Sequence, residues 1–395
     1  MSRIDELVQE LCPDGVEFVT LESVAKTVPG LTGKTKADFS DGNARYVTYK
    51  NAFSNLAVDD AATDFVKVEQ GERQNLLRLG DVVITGSSEN VDEVGMSSVV
   101  TREPLEPLYL NSFCFALRFE RPALLPEFSK HLFRGEATRK QIRKAASGVT
   151  RINVSKPRFM KIRIPVPPLE VQREIVRVLD KFTQLEAELE AELEARRAQY
   201  DHYRRKLLDS GDAESGRMLP LGEIFEMRAG THIKAAEISD EPTEDKPYPC
   251  YGGNGLRGYV SSYNYDGSVI FVGRQGALCG NVHRADGKIY ATEHAVVVTP
   301  KVPVDMSWAF HKLTEMDLNQ YKTKSAQPGL AVGRVKQVEA QYVPVDDQRR
   351  DGEVLDKLDG LVNDISIGLP AELTARRKQY EHYRDRLLTF KEAAG

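Results

Sequence analysis

A disulfide framework, a metal-ligand cluster, a long apolar run and a strong charge of one sign are all missing from this chain. The four cysteines, Cys12, Cys114, Cys250 and Cys279, stand far apart, form no CxxC pair and have no histidine at ligand spacing. They read as reduced, mostly buried thiols, and no metal site is encoded around them. No apolar stretch approaches the roughly 20 residues needed to cross a bilayer. The start, MSRIDELVQELC, reads as a short amphipathic helix with acidic residues rather than a secretory leader. The expectation is a soluble, cytoplasmic protein with no membrane partner. A net charge of −5 gives no global pull toward nucleic acid and leaves room only for local basic faces.

Catalytic signatures are missing as well. Gly30-Leu31-Thr32-Gly33-Lys34-Thr35 ends like a phosphate-binding loop, but two residues separate its glycines where four are required. Gly253-Asn254-Gly255-Leu256-Arg257-Gly258 fits GxGxxG, yet it follows Pro249 and Tyr251 rather than an apolar strand, and Tyr259-Val260 opens no helix. The only Pro-Pro, Pro167-Pro168, lies outside any adenine-methyltransferase motif. No carboxylate pair with a spaced lysine and no nucleophile, base and orienting acid stand out. The chain reads as non-catalytic.

What it does contain is a repeat. ARRAQYDHYRRKLL, from Ala195 to Leu208, returns as ARRKQYEHYRDRLL from Ala375 to Leu388, and QREIVRVLDKF from Gln172 is answered by QRRDGEVLDKL from Gln348. Apolar positions recur at steps of three and four, from Ile175, Leu179 and Phe182 through Leu185, Leu189 and Leu193 to Tyr200, Tyr203 and Leu207. That is one stripe on a helix, opposite a face of Glu, Arg, Gln and Lys. From Leu169 to Leu208 the helix has 40 residues, and its seam asks for a partner helix. One reading is a coiled coil that dimerises. The other is that the two copies pair within the chain and hold two similar domains.

With 41% hydrophobic residues, 395 residues suffice for a core in each of two or three domains. Strand-type runs fall at Arg45 to Tyr49, Val82 to Thr85, Ser97 to Val100 and Phe113 to Phe119, with a helix over Pro126 to Ala146. After the first long helix the plan restarts. Leu219 to Ile224 answers Val19 to Val24, Gly267 to Gly273 answers Gly80 to Gly86, and Val343-Pro344-Val345 answers Ile164-Pro165-Val166. The division expected is 1–165 for a first globular domain, 166–210 for the first long helix, 211–216 for a linker, 217–345 for a second globular domain and 346–395 for the second helical region. That region is expected to break near Gly368 and Pro370. The fold class is α+β: two similar α/β domains joined by two long helices that pair as a coiled coil, nearly circular.

The candidate binding chemistry is polar and suited to base edges. In the second half the glycine-rich loops present Tyr251, Asn254, Arg257, Arg274 and Gln275. The matching loop of the first half carries Ser87 and Ser88, with Lys34, Lys36, Arg45, Lys50 and Asn51 upstream. Arg pairs with guanine, and Asn or Gln with adenine, through two hydrogen bonds each. Arg139, Lys140, Arg143 and Lys144, with Lys322 and Lys324, form basic clusters of the kind that meet phosphates.

On the blocks IPVPPLEVQREIVRVLDKF and LEAELEAELEARRAQYDHYRRKLL, the second copy GLPAELTARRKQYEHYRDRLL, and the loops GDVVITGSSENVDEVGMSSV, PCYGGNGLRGY and VGRQGALCGNV, the chain resembles the specificity subunit of type I restriction-modification systems. The resemblance covers nearly the whole sequence. It implies two target recognition domains, each reading half of a split double-stranded DNA sequence, joined by the two helices as an antiparallel, pseudo-twofold coiled coil, and two methyltransferase subunits docked against those helices. Restriction/translocase subunits would complete the nuclease. S-adenosylmethionine, ATP and Mg would then sit on those partners, with no cofactor on this chain. The Leu and Tyr seam exceeds what two helices cover, so Tyr200, Tyr203, Tyr380 and Tyr383 are the expected partner-binding residues. The competing reading is a coiled-coil scaffold without DNA sequence preference.

Overall fold

The computed structural model describes residues 3–61, 64–208, 216–276, 278–323 and 328–393. The chain divides into two compact units: residues 1–188 with 374–395, and residues 189–373. The boundaries differ from those read in the sequence because the long helices are not a separate body. Each is shared between two cores. Most of the expected linker, and Lys324, lie outside the described residues.

Unit 1 is built on strands β1 (Ala25–Pro29), β2 (Val82–Thr85), β3 (Ser97–Val99) and β4 (Cys114–Phe119), ordered β1-β4-β2-β3 and antiparallel throughout. Val-Val-Ile-Thr in β2 is buried at all four positions, as a central strand covered on both faces requires. Val82 and Ile84 face a core with Phe128, Leu132, Ile175 and Leu179, whereas Val83 faces a second core with Val47, Leu110 and Ala116. The period of two thus feeds two layers from one strand. Of the expected elements, Pro126 to Ala146 is two helices, Pro126–Leu132 and Glu136–Ala145, separated at Gly135. The run at Arg45 to Tyr49 is a strand only over Ala44–Val47, after which Tyr49–Ser54 turns helical.

Unit 2 repeats the plan. Strands β5 (Phe225–Ala229), β6 (Val269–Gly273), β7 (Val282–Ala285) and β8 (Ala295–Pro300) are ordered β5-β8-β6-β7, again antiparallel. Ile270 and Val272 point to a core with Trp308 and Leu355, and Val269 and Phe271 to one with Ile289 and Val297. The same topology on different sequence is what the matched glycines and apolar runs predicted.

The long helix α1 runs unbroken over Leu169–Leu208, rich in the strong helix formers Leu, Glu, Ala and Arg. Its second partner is broken, into α2 (Val345–Asn363) and α3 (Leu369–Leu387). At the break the Asp364 carboxylate accepts from the Ser366 and Ile367 amides at 2.7 and 3.2 Å. Pro370 then sits in the first turn of α3, where a missing N–H costs nothing. Within unit 1, α1 and α3 run antiparallel: Glu186 pairs with Arg377 at 2.6 Å and Phe182 stacks on Tyr383 at 5.2 Å. In unit 1 α1 buries Val171, Ile175 and Leu179, and in unit 2 it buries Leu193, Tyr200 and Leu208.

Two polar keys fix these helices. In unit 1 the imidazole of His131, fully buried, lies 2.8 Å from the Tyr380 hydroxyl through Nδ1 and 2.7 Å from Asp180 Oδ1 through Nε2. In unit 2 His311, also fully buried, meets the Tyr200 hydroxyl at 3.1 Å and Asp356 Oδ1 at 2.9 Å. Asp180 and Asp356 hold the same place in the first repeated block, and Tyr200 and Tyr380 the same place in the second. Each key therefore takes its aspartate from one repeat and its tyrosine from the other. Gln172 and Gln348, both fully buried, add a second tie. Each accepts from a backbone amide ahead of the helix packed on it, Leu125 at 2.8 Å and Asp305 at 2.9 Å, and donates to Pro167 and Val343 carbonyls respectively.

This corrects the expectation for the tyrosines. Tyr200 and Tyr380 are 4% and 7% exposed, and burial pushes both phenols up to about 12. They close the chain's own cores and are not surface for a partner. Tyr383 is half-buried against Phe182, and Tyr203 alone of the four is exposed.

Candidate nucleic-acid interface

The loops singled out by their glycines lie at equivalent strand ends. In unit 1 the chain leaves β2 through Gly86 into Ser87-Ser88, and a hairpin adds to that edge: Ala146–Ser147 pairs with Ile152–Val154, which pairs with Ser87 and Ser88. Gly148 makes the hairpin turn at φ +140°, where a Cβ would stand 2.0 Å from the Arg151 carbonyl oxygen, so only glycine fits. The turn delivers Arg151, whose Nε and Nη2 donate to Ser87 Oγ at 3.1 and 2.9 Å, with the guanidinium 5.5 Å from the Phe113 ring centre. Tyr49 donates its hydroxyl to the Ser87 carbonyl at 2.8 Å. The result is a hollow of about 620 Å³ edged by Lys50, Ser88, Glu89 and Glu93.

Arg139 holds the rim of this hollow from behind. It is buried and donates to the carbonyls of Gly95, Val94 and Asp92 at 2.6, 2.7 and 2.9 Å. Burial lowers its pKa to about 10. It is thus a clamp on the loop and leaves the basic cluster expected from the sequence, while Arg143 pairs with Glu136 and Lys140 and Lys144 remain exposed.

In unit 2 the chain leaves β6 through Gly273 into Arg274 and Gln275. A Cβ on Gly273 would lie 2.2 Å from the Gly253 carbonyl, so the two glycine-rich loops can touch only as glycines. Gln275 forms a bridge with Gly329, and Lys322 with Leu330, so Gly329 and Leu330 lie beside the loop that follows β6. The GxGxxG stretch is an antiparallel hairpin, Tyr248–Gly252 against Gly255–Val260, which excludes the strand-to-helix turn of a dinucleotide site. Asn254 and Arg257 are exposed on it. Gln275 Oε1 lies 2.9 Å from His294 Nδ1, and Arg274 Nη1 donates to the Glu293 carbonyl at 3.4 Å. Glu293 Oε1 is 2.8 Å from His232 Nδ1. Burial pushes the Glu293 carboxyl up, but the histidine bond and neighbouring donors outweigh it and leave it below the usual range. Gly252 to Arg257, Gln275 and His294 surround a hollow of about 340 Å³.

The structure brings together Lys50, Ser87 and Ser88 in unit 1 and Asn254, Arg257, Arg274 and Gln275 in unit 2. It accounts for four others within the fold. Lys34, its side chain 7% exposed, pairs with Glu72 at 2.6 Å. Arg45 pairs with Glu106 at 3.3 Å and donates to the Asp60 carbonyl. Asn51 is buried and bonds both the carbonyl and the amide of Asp59. Tyr251 stacks on Phe271 at 5.0 Å. Lys36 is exposed on a short 3-10 turn away from the hollow's lining. Sequence reasoning misses Arg151, Phe113 and His294. The signal for the hairpin is the alternation of Ile152 and Val154 after Gly148.

Among the described residues, no helix is long and apolar enough to cross a membrane. The family model for the type I restriction modification DNA specificity domain matches twice, over residues 13–195 and 217–375. The EcoprrI specificity subunit of Escherichia coli is 50% identical over 220 residues, covering 53% of this chain and 55% of that protein, so the chain spans about half the length of that relative. A type I specificity subunit of Haemophilus influenzae is 32% identical over 274 residues, covering 62% of this chain and 68% of its own length. Among solved structures, the type I S subunit from M. genitalium superposes with a TM-score of 0.58 at 16% identity, over 95% of this chain and 96% of that one. A chain from a structure of type I R-M complex assembly and conformational transition gives 0.59 at 17%, over 95% and 98%. At such identities the likeness speaks for the fold, and with the two matches of the family model the chain belongs to the type I restriction-modification DNA specificity family.

Proposed function

We propose that this chain is a non-catalytic, sequence-specific DNA-reading subunit of a type I restriction-modification complex, each unit reading one half of a bipartite double-stranded target. The carrying observation is the pair of polar hollows at the ends of β2 and β6. The framework beneath them is the same, and the side chains they present are different. A duplicated frame with diversified tips is what reading two unlike half-sites requires, since base edges are distinguished by donor and acceptor pattern while phosphate contacts are not.

Two methyltransferase subunits dock on the helical regions, with Tyr203 as an exposed aromatic on α1, and restriction/translocase subunits complete the assembly. S-adenosylmethionine, ATP and Mg belong to those partners. The test is exchange of residues 217–343 for the matching part of a relative, with methylated sites then mapped in cells carrying the complete system. One half of the recognised sequence changes and the other stays. Alteration of both halves, or methylation without sequence preference as a plain scaffold would give, refutes the assignment.

A further inference from the structure

We propose that Arg151 is a specificity-determining residue of the first unit, reading a guanine in its half-site with Ser87 and Phe113 as positioning residues. The inference rests on the DNA-reading function proposed above and assigns one side chain to one base. An arginine contacts guanine through two parallel N–H groups aimed at O6 and N7, and that contact needs a guanidinium fixed in plane and direction. Here both are fixed before any ligand arrives. Nε and Nη2 are held on Ser87 Oγ at 3.1 and 2.9 Å, and the Phe113 ring lies 5.5 Å away. Ser87 is itself held, its carbonyl by the Tyr49 hydroxyl and its backbone by pairing with Asn153. With one edge of the guanidinium spent on Ser87, the end formed by Nη1 and Nη2 is left to make the paired contact. Arg151 stands on the exposed hairpin, so the cost of ordering a long side chain has been met without burying the charge.

The alternative for an exposed arginine is a phosphate. Glu89 and Glu93 line the same hollow and offset Lys50 and Arg151, so it has no excess of positive charge to draw a phosphodiester. A base edge carries no net charge, and its amino groups are acceptable neighbours for carboxylates, as with cytosine N4 opposite the guanine. The charge arrangement therefore selects the groove over the backbone.

The experiment measures binding of the full chain, with its methyltransferase partners, to a randomised duplex library, comparing wild type with Arg151→Ala, Arg151→Lys and Ser87→Ala. Circular dichroism melting confirms that each variant folds. The expected result is a guanine preference at one position that falls about tenfold or more in Arg151→Ala. Arg151→Lys keeps the charge and loses the same preference, since an ammonium has no planar fork. Ser87→Ala weakens the preference partially and leaves other positions untouched. Equal weakening on all sequences in Arg151→Ala, with restoration in Arg151→Lys, would mean a phosphate contact and overturn the proposal. So would an unchanged profile, or relaxation at a position that is not guanine. Absence of any sequence preference in the wild type would overturn the DNA-reading function itself, whereas a retained preference indifferent to Arg151 overturns only this assignment.

Discussion

Replacing Tyr380 by Phe removes one oxygen from a buried site. The ring stays, so no cavity opens, and the loss falls on His131, whose Nδ1 loses its 2.8 Å partner while the imidazole remains fully buried. Leaving one buried polar group unsatisfied costs about 1–3 kcal/mol. Tyr380→Ala would add the loss of the ring, for a total nearer 3–5 kcal/mol or above. Against a domain stability of about 5–15 kcal/mol the Phe variant folds but opens more readily. Two compact units need not melt as one transition, so the assay is hydrogen exchange read by peptide mass spectrometry. Amides of Pro126–Leu132 and α3 in Tyr380→Phe should exchange roughly 5- to 150-fold faster under the same 1–3 kcal/mol. In Tyr200→Phe the effect should move to Met306–Glu315. Unchanged protection, or equal loosening of both units by either variant, would refute the keys as local ties.

His131 and His311 are both held below the ordinary imidazole range, chiefly by burial, with Asp180 and Asp356 pulling the other way. A depressed folded pKa means that the unfolded chain binds protons first. Stability from the keys is therefore full above about pH 6.5 and declines as pH falls below it. Exchange rates rising between pH 7 and 5.5, after correction for intrinsic chemistry, would show this, and a flat profile would contradict it. Arg274→Ala should cost about 1–3 kcal/mol in binding and relax one base position of the second half-site, read by the same library selection. No change in affinity or profile would mean that the loop after β6 faces elsewhere. Tyr203→Asp should abolish co-elution with the methyltransferase subunits while leaving exchange in both units unaltered, and normal assembly would count against docking there. Duplicating Leu189 to Glu192 lengthens α1 by about 6 Å and turns the remainder of the helix by about 40° beyond a full turn. That matches the turn of about one base pair, so methylation mapping should find the spacer one pair longer and both half-sites unchanged. An unaltered spacer would show that α1 does not set it.

The frame is legible because it is written twice. Matching blocks at Gln172 and Gln348, and the Val82–Thr85 and Val269–Gly273 runs, reveal the repeat and the central strands, while Gly368 and Pro370 signal the break that falls between Asn363 and Leu369. The direction in which a side chain faces is a different matter. A stripe at helical spacing shows that Tyr200 and Tyr380 are covered, not what covers them. Their partners, His311 and His131, sit 111 and 249 residues away in helices with little sequence in common. Lys34, Arg45 and Asn51 are polar residues in short segments, where composition suggests solvent. Glu72, Glu106 and the Asp59 backbone engage them only once loops distant in sequence have closed. Arg151 escapes notice because its value lies in Ser87 and Phe113, both well before it in the chain, which order its guanidinium.

The mixed parentage of the keys bears on how such a gene can change. A substitution at Tyr380 must be answered at His131, 249 positions away. Because the two keys share one chemistry, exchange of either globular segment for one that carries the same histidine leaves its tyrosine and aspartate matched. Private, co-adapted variants of the key would forfeit that compatibility. The junction thereby behaves as a standardised fitting: it restrains drift in its own residues while leaving the loops at the ends of β2 and β6 free to vary on a frame that already fits.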